Sequence, residues 1–209
     1  MNRDARTNDM DGAWQDRVHA IFQRVTDIPP TEWEYARGFL TPRSYAKSEH
    51  LLQAGEVAEH SFLLLQGLVR VYYLTGAGKE FISGFVAEDQ FCGSVTSIIG
   101  GRPSRFFIQA LEDVDVVLLP RAAILRLYDR HPCWERFGRI IAEGVMMFHE
   151  VKEGEILDSL ETRYLRLRND HPRLHERVPQ YHLASYLGIT NVALSRLRGR
   201  LKAKGLLDE

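Results

Sequence analysis

Apolar residues near the start of the chain recur at helical spacing. Trp14, Val18, Ile21, Phe22 and Val25 lie three or four positions apart and predict one amphipathic helix. The polar dozen residues before it read as a loose tail. Pro29-Pro30 stops that helix, and Thr31 with Glu34 makes a capping-box start for a second, short helix to about Leu40. The pattern then changes. Residues 51–101 hold eight of the sixteen glycines, and between them lie short β-prone runs: Phe62–Leu65, Val69–Leu74 and Phe81–Val86. Ala110–Leu119 closes this region, with turns at Gln66-Gly67 and Thr75–Gly78. Short strands at regular spacing with glycine turns predict a small antiparallel barrel or roll.

After Pro120 the pattern is helical again. Phe137, Ile140, Ile141, Gly144, Val145, Met147, Phe148 and Val151 form an apolar stripe in a proline-free stretch from near Trp134 to about Leu157. A small barrel cannot cover a helix this long. The stripe therefore predicts a two-helix seam with a second copy through Phe137, Ile141, Gly144, Phe148 and Val151, with packing inside its own domain as the alternative. Asp158 and Glu161 make a capping-type start for a further helix that stops at Asn169–Pro172. The domain division expected is 1–132, 133–158 and 159–209.

Residues 178–205 carry the clearest chemistry. Pro179 suits a first helical position, and Leu183, Ala184 and Leu187 form the inner face of a short helix. Gly188 fits a turn that needs positive φ, Ile189 is an apolar plug, and Thr190 is a good N-cap for the next helix. That helix has Leu194, Leu197 and Leu201 on one side. Asn191, Val192, Ser195, Arg196 and Gly199 fall within an arc of about 140° on the other. Asn, Ser and Arg match the edges of bases, so Asn191, Val192, Ser195 and Arg196 are the candidate base contacts. Thr190, Arg198, Arg200, Lys202 and Lys204 suit phosphates. A short helix, a glycine turn and a helix with a polar outer face make a helix-turn-helix.

Composition sharpens this. The 209 residues are 44% hydrophobic and 26% charged, enough to bury a core and too ordered in pattern for a disordered or repetitive chain. The net charge of −1 hides an asymmetry: residues 160–209 hold ten Lys/Arg against five acids, and 191–205 hold five basic residues and no acid. A basic end on an acidic body suits a polyanion. Two cysteines, Cys92 and Cys133, make no disulfide framework or thiolate cluster. No apolar run reaches the roughly 18 residues of a membrane span, and a cytoplasmic protein with no membrane partner is expected. No nucleophile–base–acid set, phosphate-cradling glycine loop or metal triad is present in the sequence, so an enzyme is not expected and no metal site is assigned.

In this order of parts the chain resembles the Crp/Fnr family of bacterial transcription regulators, over about residues 14–207. Gly55-Glu56, Phe62–Leu65 and Gly67-Leu68-Val69-Arg70-Val71 are similar to the family's roll signature. Leu183–Thr190 followed by Leu194-Ser195-Arg196 is similar to its DNA-reading unit. The resemblance implies an α+β fold: helices flanking an antiparallel β-roll of double-stranded β-helix (jelly-roll-like) type, a long dimerisation helix and a C-terminal helix-turn-helix. It also implies a homodimer that binds double-stranded DNA at a near-palindromic site, with RNA polymerase as a further partner.

Members that bind cyclic AMP resemble "GDF.GE" followed by Arg-Ser/Thr-Ala, where Glu takes the ribose hydroxyl and Arg the phosphate. Here Asp89-Gln90-Phe91-Cys92-Gly93-Ser94 has Ser94 in place of the Glu. Ser104 stands at the Arg position, with Arg105 displaced by one. The candidate effector pocket is Phe91, Cys92, Gly93, Ser94, Arg102, Ser104 and Arg105. Read as acid-lined through Asp89 and lacking the Glu, it is not expected to hold cyclic AMP well. No iron–sulfur cluster is expected from two thiols, and the effector stays open. Gly205–Glu209 leaves the expected β-wing missing or vestigial. Two alternatives remain at this point: a ligand-binding module acting through protein contacts without DNA, and a regulator that still binds an anionic nucleotide.

Overall fold

A computed structural model describes residues 13–207. Helix α1 (Ala13–Val25) is followed by α2 (Pro30–Arg37). The capping box expected at Thr31 does not form: Pro29 is the N-cap, no side chain bonds the helix start, and Pro30 occupies the first turn. Proline needs no N–H there and arrives with helical φ, so Pro29-Pro30 opens the second helix as well as closing the first. Glu34 instead pairs with Arg37 at 3.1 Å.

Eight strands follow: β1 (Thr41–Tyr45), β2 (His50–Leu52), β3 (His60–Gln66), β4 (Val69–Leu74), β5 (Glu80–Val86), β6 (Phe91–Cys92), β7 (Phe107–Ala110) and β8 (Val114–Pro120). The short helix α3 (Val95–Ile98) lies between β6 and β7. One sheet has the order β1-β8-β3-β6 and the other β2-β7-β4-β5. Where the sequence suggests one closing strand over 110–119, the chain turns at 111–113 and makes two strands in different sheets.

The runs Phe62–Leu65 and Val116–Leu119 are apolar throughout because both faces of that sheet are covered. In register, Phe62 faces Leu118 and Leu63 faces Val117. Phe62, Leu64, Val116 and Leu118 point into the roll beside Tyr45, Leu52 and Ile108. Leu63, Leu65 and Val117 point outward into a second core with Phe22, Trp33 and Trp134.

Helices α4 (Arg121–Arg130) and α5 (Pro132–Glu155) follow the roll. The long helix is thus observed, two residues earlier than the pattern suggests. Its first third is not free for a partner. Phe137 is only 7% exposed and its ring lies 4.8 Å from that of Phe22, while Ile141 packs at the edge of the same core. Further along, Met146, Met147 and Val151 are 71%, 61% and 57% exposed.

The remaining helices are α6 (Leu160–Asp170), α7 (Leu174–Arg177), α8 (Gln180–Leu187) and α9 (Asn191–Ala203). The cap of α6 is Ser159, whose hydroxyl accepts from Thr162 N–H at 3.1 Å, rather than Asp158. Asp158 pairs with Arg166 at 2.8 Å. The chain forms two compact units, residues through Val71 with Phe85–Met147, and Tyr72–Gly84 with Phe148 onward. The predicted N-terminal tail lies outside the described residues. Among the described residues no helix is long and apolar enough to cross a membrane.

Candidate functional site

The α8–α9 pair is built by local signals. Pro179 precedes α8 as its N-cap rather than its first helical residue, and Leu183, Ala184 and Leu187 are buried beneath it. Gly188 sits at φ +73°, ψ +25°, a conformation that costs a residue with a Cβ about 1–2 kcal/mol. Its N–H and that of Ile189 bond back to the last turn of α8, which closes the helix and turns the chain. Thr190 then caps α9, its hydroxyl accepting from Ala193 N–H at 3.2 Å.

Leu194, Leu197 and Leu201 are at most 1% exposed. With that face fixed inward, Asn191, Val192, Ser195 and Arg196 are all exposed, Val192 at 60%. A shallow cleft of about 400 Å³ runs along this side, lined by Gln180, Asn191, Ser195, Arg198, Gly199 and Lys202. Five of those lining residues are on α9. Gln180, from the first turn of α8, is the one the sequence reading missed; its position beside the free N–H groups of a helix start was the available signal. Ser185 faces elsewhere: its hydroxyl donates to the Glu80 carbonyl at 3.0 Å and accepts from Ile82 N–H at 3.3 Å.

The assigned phosphate residues divide. Arg198 and Lys202 border the cleft. Lys204 Nζ instead donates to Glu161 of α6 at 2.8 Å, and Arg200 Nε lies 3.8 Å from the same carboxylate. Lys204 in particular holds that carboxyl below the ordinary glutamate range, so it is ionised at neutral pH. After α9, Gly205 adopts φ +69° and the Leu206 N–H bonds to the Leu201 carbonyl, ending the helix. No strand follows among the described residues.

The effector cassette is satisfied from within. Ser94 is 1% exposed and caps α3, its hydroxyl accepting from Ser97 N–H at 3.3 Å. Ser97 Oγ donates to the Arg102 carbonyl at 2.6 Å, and Arg121 Nε donates to the Ile98 carbonyl at 2.8 Å at the other end of α3. Ser104 is buried and its hydroxyl donates to the Phe106 carbonyl at 2.9 Å. Arg102 and Arg105 are exposed. Gly93 lies on Ser61, whose hydroxyl would be 3.0 Å from an added Cβ.

The expected acid lining is not there. Asp89, at φ +63°, turns its carboxylate to α1, where Arg17 reaches it at 2.7 Å and Arg24 at 2.8 Å. Those two guanidiniums hold its carboxyl below the usual range. Cys92 is buried beside Phe91 at the end of β3's partner strand, and burial pushes its thiol up to about 12. A thiol so protonated is a small hydrophobe rather than a redox group. Among the described residues no group of three metal-ligating side chains comes together.

The family of cyclic nucleotide-binding domains matches residues 42–131. The chain is 22% identical to the global nitrogen regulator of Synechocystis, over 93% of this chain and 89% of that protein. A solved Crp/Fnr-family transcriptional regulator from Eubacterium rectale superposes with TM-score 0.71 at 14% identity, covering 97% of this chain and 91% of the other. FixK2 from Bradyrhizobium japonicum does so with TM-score 0.69 at 19% identity, covering 81% and 88%. Residues 42–131 are therefore a domain of the cyclic nucleotide-binding type, and the chain shares its fold with these solved regulators.

Proposed function

We propose that the protein is a sequence-specific DNA-binding transcription regulator acting as a homodimer. The observation that carries this reading is the exposed face of α9, where Asn191, Val192, Ser195 and Arg196 stand clear of a leucine core beside a cleft edged by Arg198 and Lys202. Arg pairs in two-point fashion with guanine, Asn with adenine, and Val192 offers apolar contact to a thymine methyl. Thr190, Arg198 and Lys202 fix the register on the phosphates.

The second copy pairs along α5. Met147, Phe148 and Val151 expose an apolar stripe in line with Gly144. Phe137 and Ile141, spent on the molecule's own core, set where that seam starts. Two recognition helices that read half-sites one turn of B-DNA apart must lie about 34 Å apart, so the two-fold dimer calls for a near-palindromic site. In this reading the chain divides into roll (1–132), pairing helix (133–158) and reader head (159–209). The roll does not hold cyclic AMP, because Ser94 and Ser104 direct their hydroxyls to the backbone of the cassette itself.

The test is retention of genomic duplex fragments at about 150 mM salt by wild type and by the triple variant Asn191→Ala/Ser195→Ala/Arg196→Ala. Wild type is expected to select fragments, and the triple variant to bind all fragments alike. Equal selection by both proteins would refute the assignment of that face.

A further inference from the structure

The recognition helix has two basic flanks, and only one of them is free. With Leu194, Leu197 and Leu201 inward, a rotation of about 100° per residue sets Arg198 and Lys202 at one edge of the base-reading arc and Arg200 and Lys204 beyond the other. The first pair edges the cleft with Gln180 and makes no ion pair among the described residues. The second pair is engaged by one carboxylate: Lys204 Nζ at 2.8 Å from Glu161 Oε2 and Arg200 Nε at 3.8 Å from Oε1.

All three side chains are solvated, Arg200 and Lys204 being 58% and 54% exposed and Glu161 32%. A pair so exposed adds little to folding stability. It does place a negative charge where a second line of phosphates would otherwise meet two cations. The carboxylate sits in the first turn of α6, and Ser159 caps that turn, so its position is fixed by the helix rather than by the pair.

We propose that Glu161 is an internal competitor for DNA phosphate, holding Arg200 and Lys204 so that each reader head grips the duplex by the Arg198/Lys202 flank alone. This rests on the DNA-binding reading above and adds to it the residue that limits affinity. Removing the charge releases two cations per head, and each new phosphate contact steepens the slope of log K against log salt by about 0.9. Over a fourfold change in salt that is about 3.5-fold in affinity per cation.

The experiment titrates one fixed duplex by fluorescence anisotropy between about 50 and 200 mM salt with four full-length proteins. They are wild type, Glu161→Gln, Arg200→Gln/Lys204→Gln, and the three changes together; a thermal melt of each confirms folding. Glu161→Gln is expected to bind tighter at low salt with a steeper slope. The Arg200/Lys204 double variant is expected to keep the wild-type slope, and the triple variant to lose the gain. A double variant with a shallower slope than wild type, or a Glu161→Gln slope equal to wild type, overturns the proposal while leaving DNA binding intact. A wild type that binds no duplex overturns both.

Discussion

Two glycines in the roll share the same φ and differ in what surrounds them, which separates a steric effect from the cost of a positive φ. Gly67 and Gly55 lie at φ +93° and +92°. A Cβ on Gly67 would fall 2.6 Å from the Asp113 carbonyl oxygen and 2.6 Å from Val114 Cγ1, whereas nothing lies within 4 Å of one on Gly55. Both Ala substitutions incur the left-handed penalty of about 1–2 kcal/mol. Only Gly67→Ala must also push the Asp113–Val114 backbone away from the β3–β4 turn, an overpacking cost of about 1–3 kcal/mol more. With a urea m-value near 2 kcal/mol/M, an excess of about 2 kcal/mol separates the two midpoints by about 1 M. The three tryptophans, Trp14, Trp33 and Trp134, all precede the reader head, so their fluorescence follows the unfolding of the roll and its helices. Coincident midpoints for Gly67→Ala and Gly55→Ala would refute the argument that close approach, rather than φ alone, demands glycine at 67.

Glu32, 6% exposed, accepts from Arg130 Nε at 3.0 Å and Trp134 Nε1 at 3.1 Å. Burial pushes its carboxyl up, but those two bonds together with the nearby charge of Arg130 outweigh burial and hold it below the ordinary range. A depressed folded pKa gives stability present above the unfolded glutamate value of about 4.3 and lost as pH falls through the folded one. Glu32→Gln should lower stability at pH 7 by about 1–3 kcal/mol and flatten the acid limb; equal acid limbs in urea melts would contradict this. Cys92 should resist thiol-specific reagents at pH 8 in the folded protein and react in urea, and rapid labelling of the native chain at Cys92 would show its burial to be wrong. Arg196→Ala should cost about 1–3 kcal/mol on the best site and relax one base position, while Lys202→Ala weakens all sequences alike and lowers the salt slope by about 0.9. An Arg196→Ala protein that binds the best site as tightly as wild type would remove Arg196 from the readers.

The parts legible in the sequence are those specified by neighbours in the chain. The glycine at 188, the threonine at 190 and the leucines at 194, 197 and 201 each signal a turn, a cap or a face within one or two helical turns, and each is found in that role. The long helix was visible for the same reason. Which copy or core its apolar stripe meets was not, because Phe137 and Ile141 are buried by Phe22 and its neighbours more than a hundred residues away. Strands β1 and β2 carry little signal of their own because Thr41–Tyr45 is mostly polar and His50–Leu52 is only three residues long; pairing with β8 and β7 makes them strands. The cassette alone makes Asp89 a pocket residue, but two arginines on α1 decide where it points. Arg200 and Lys204 looked the same as Arg198 and Lys202 along the chain; a single carboxylate on another helix separates them.

The measurement that tests the central claim most directly is selection of bound fragments from a random duplex pool at about 150 mM salt, with and without cyclic AMP. The account predicts a near-palindrome with half-sites one helical turn apart, unchanged by the nucleotide. A pool from which nothing is enriched would contradict it, and a palindrome that appears only with cyclic AMP would contradict the reading of Ser94 and Ser104.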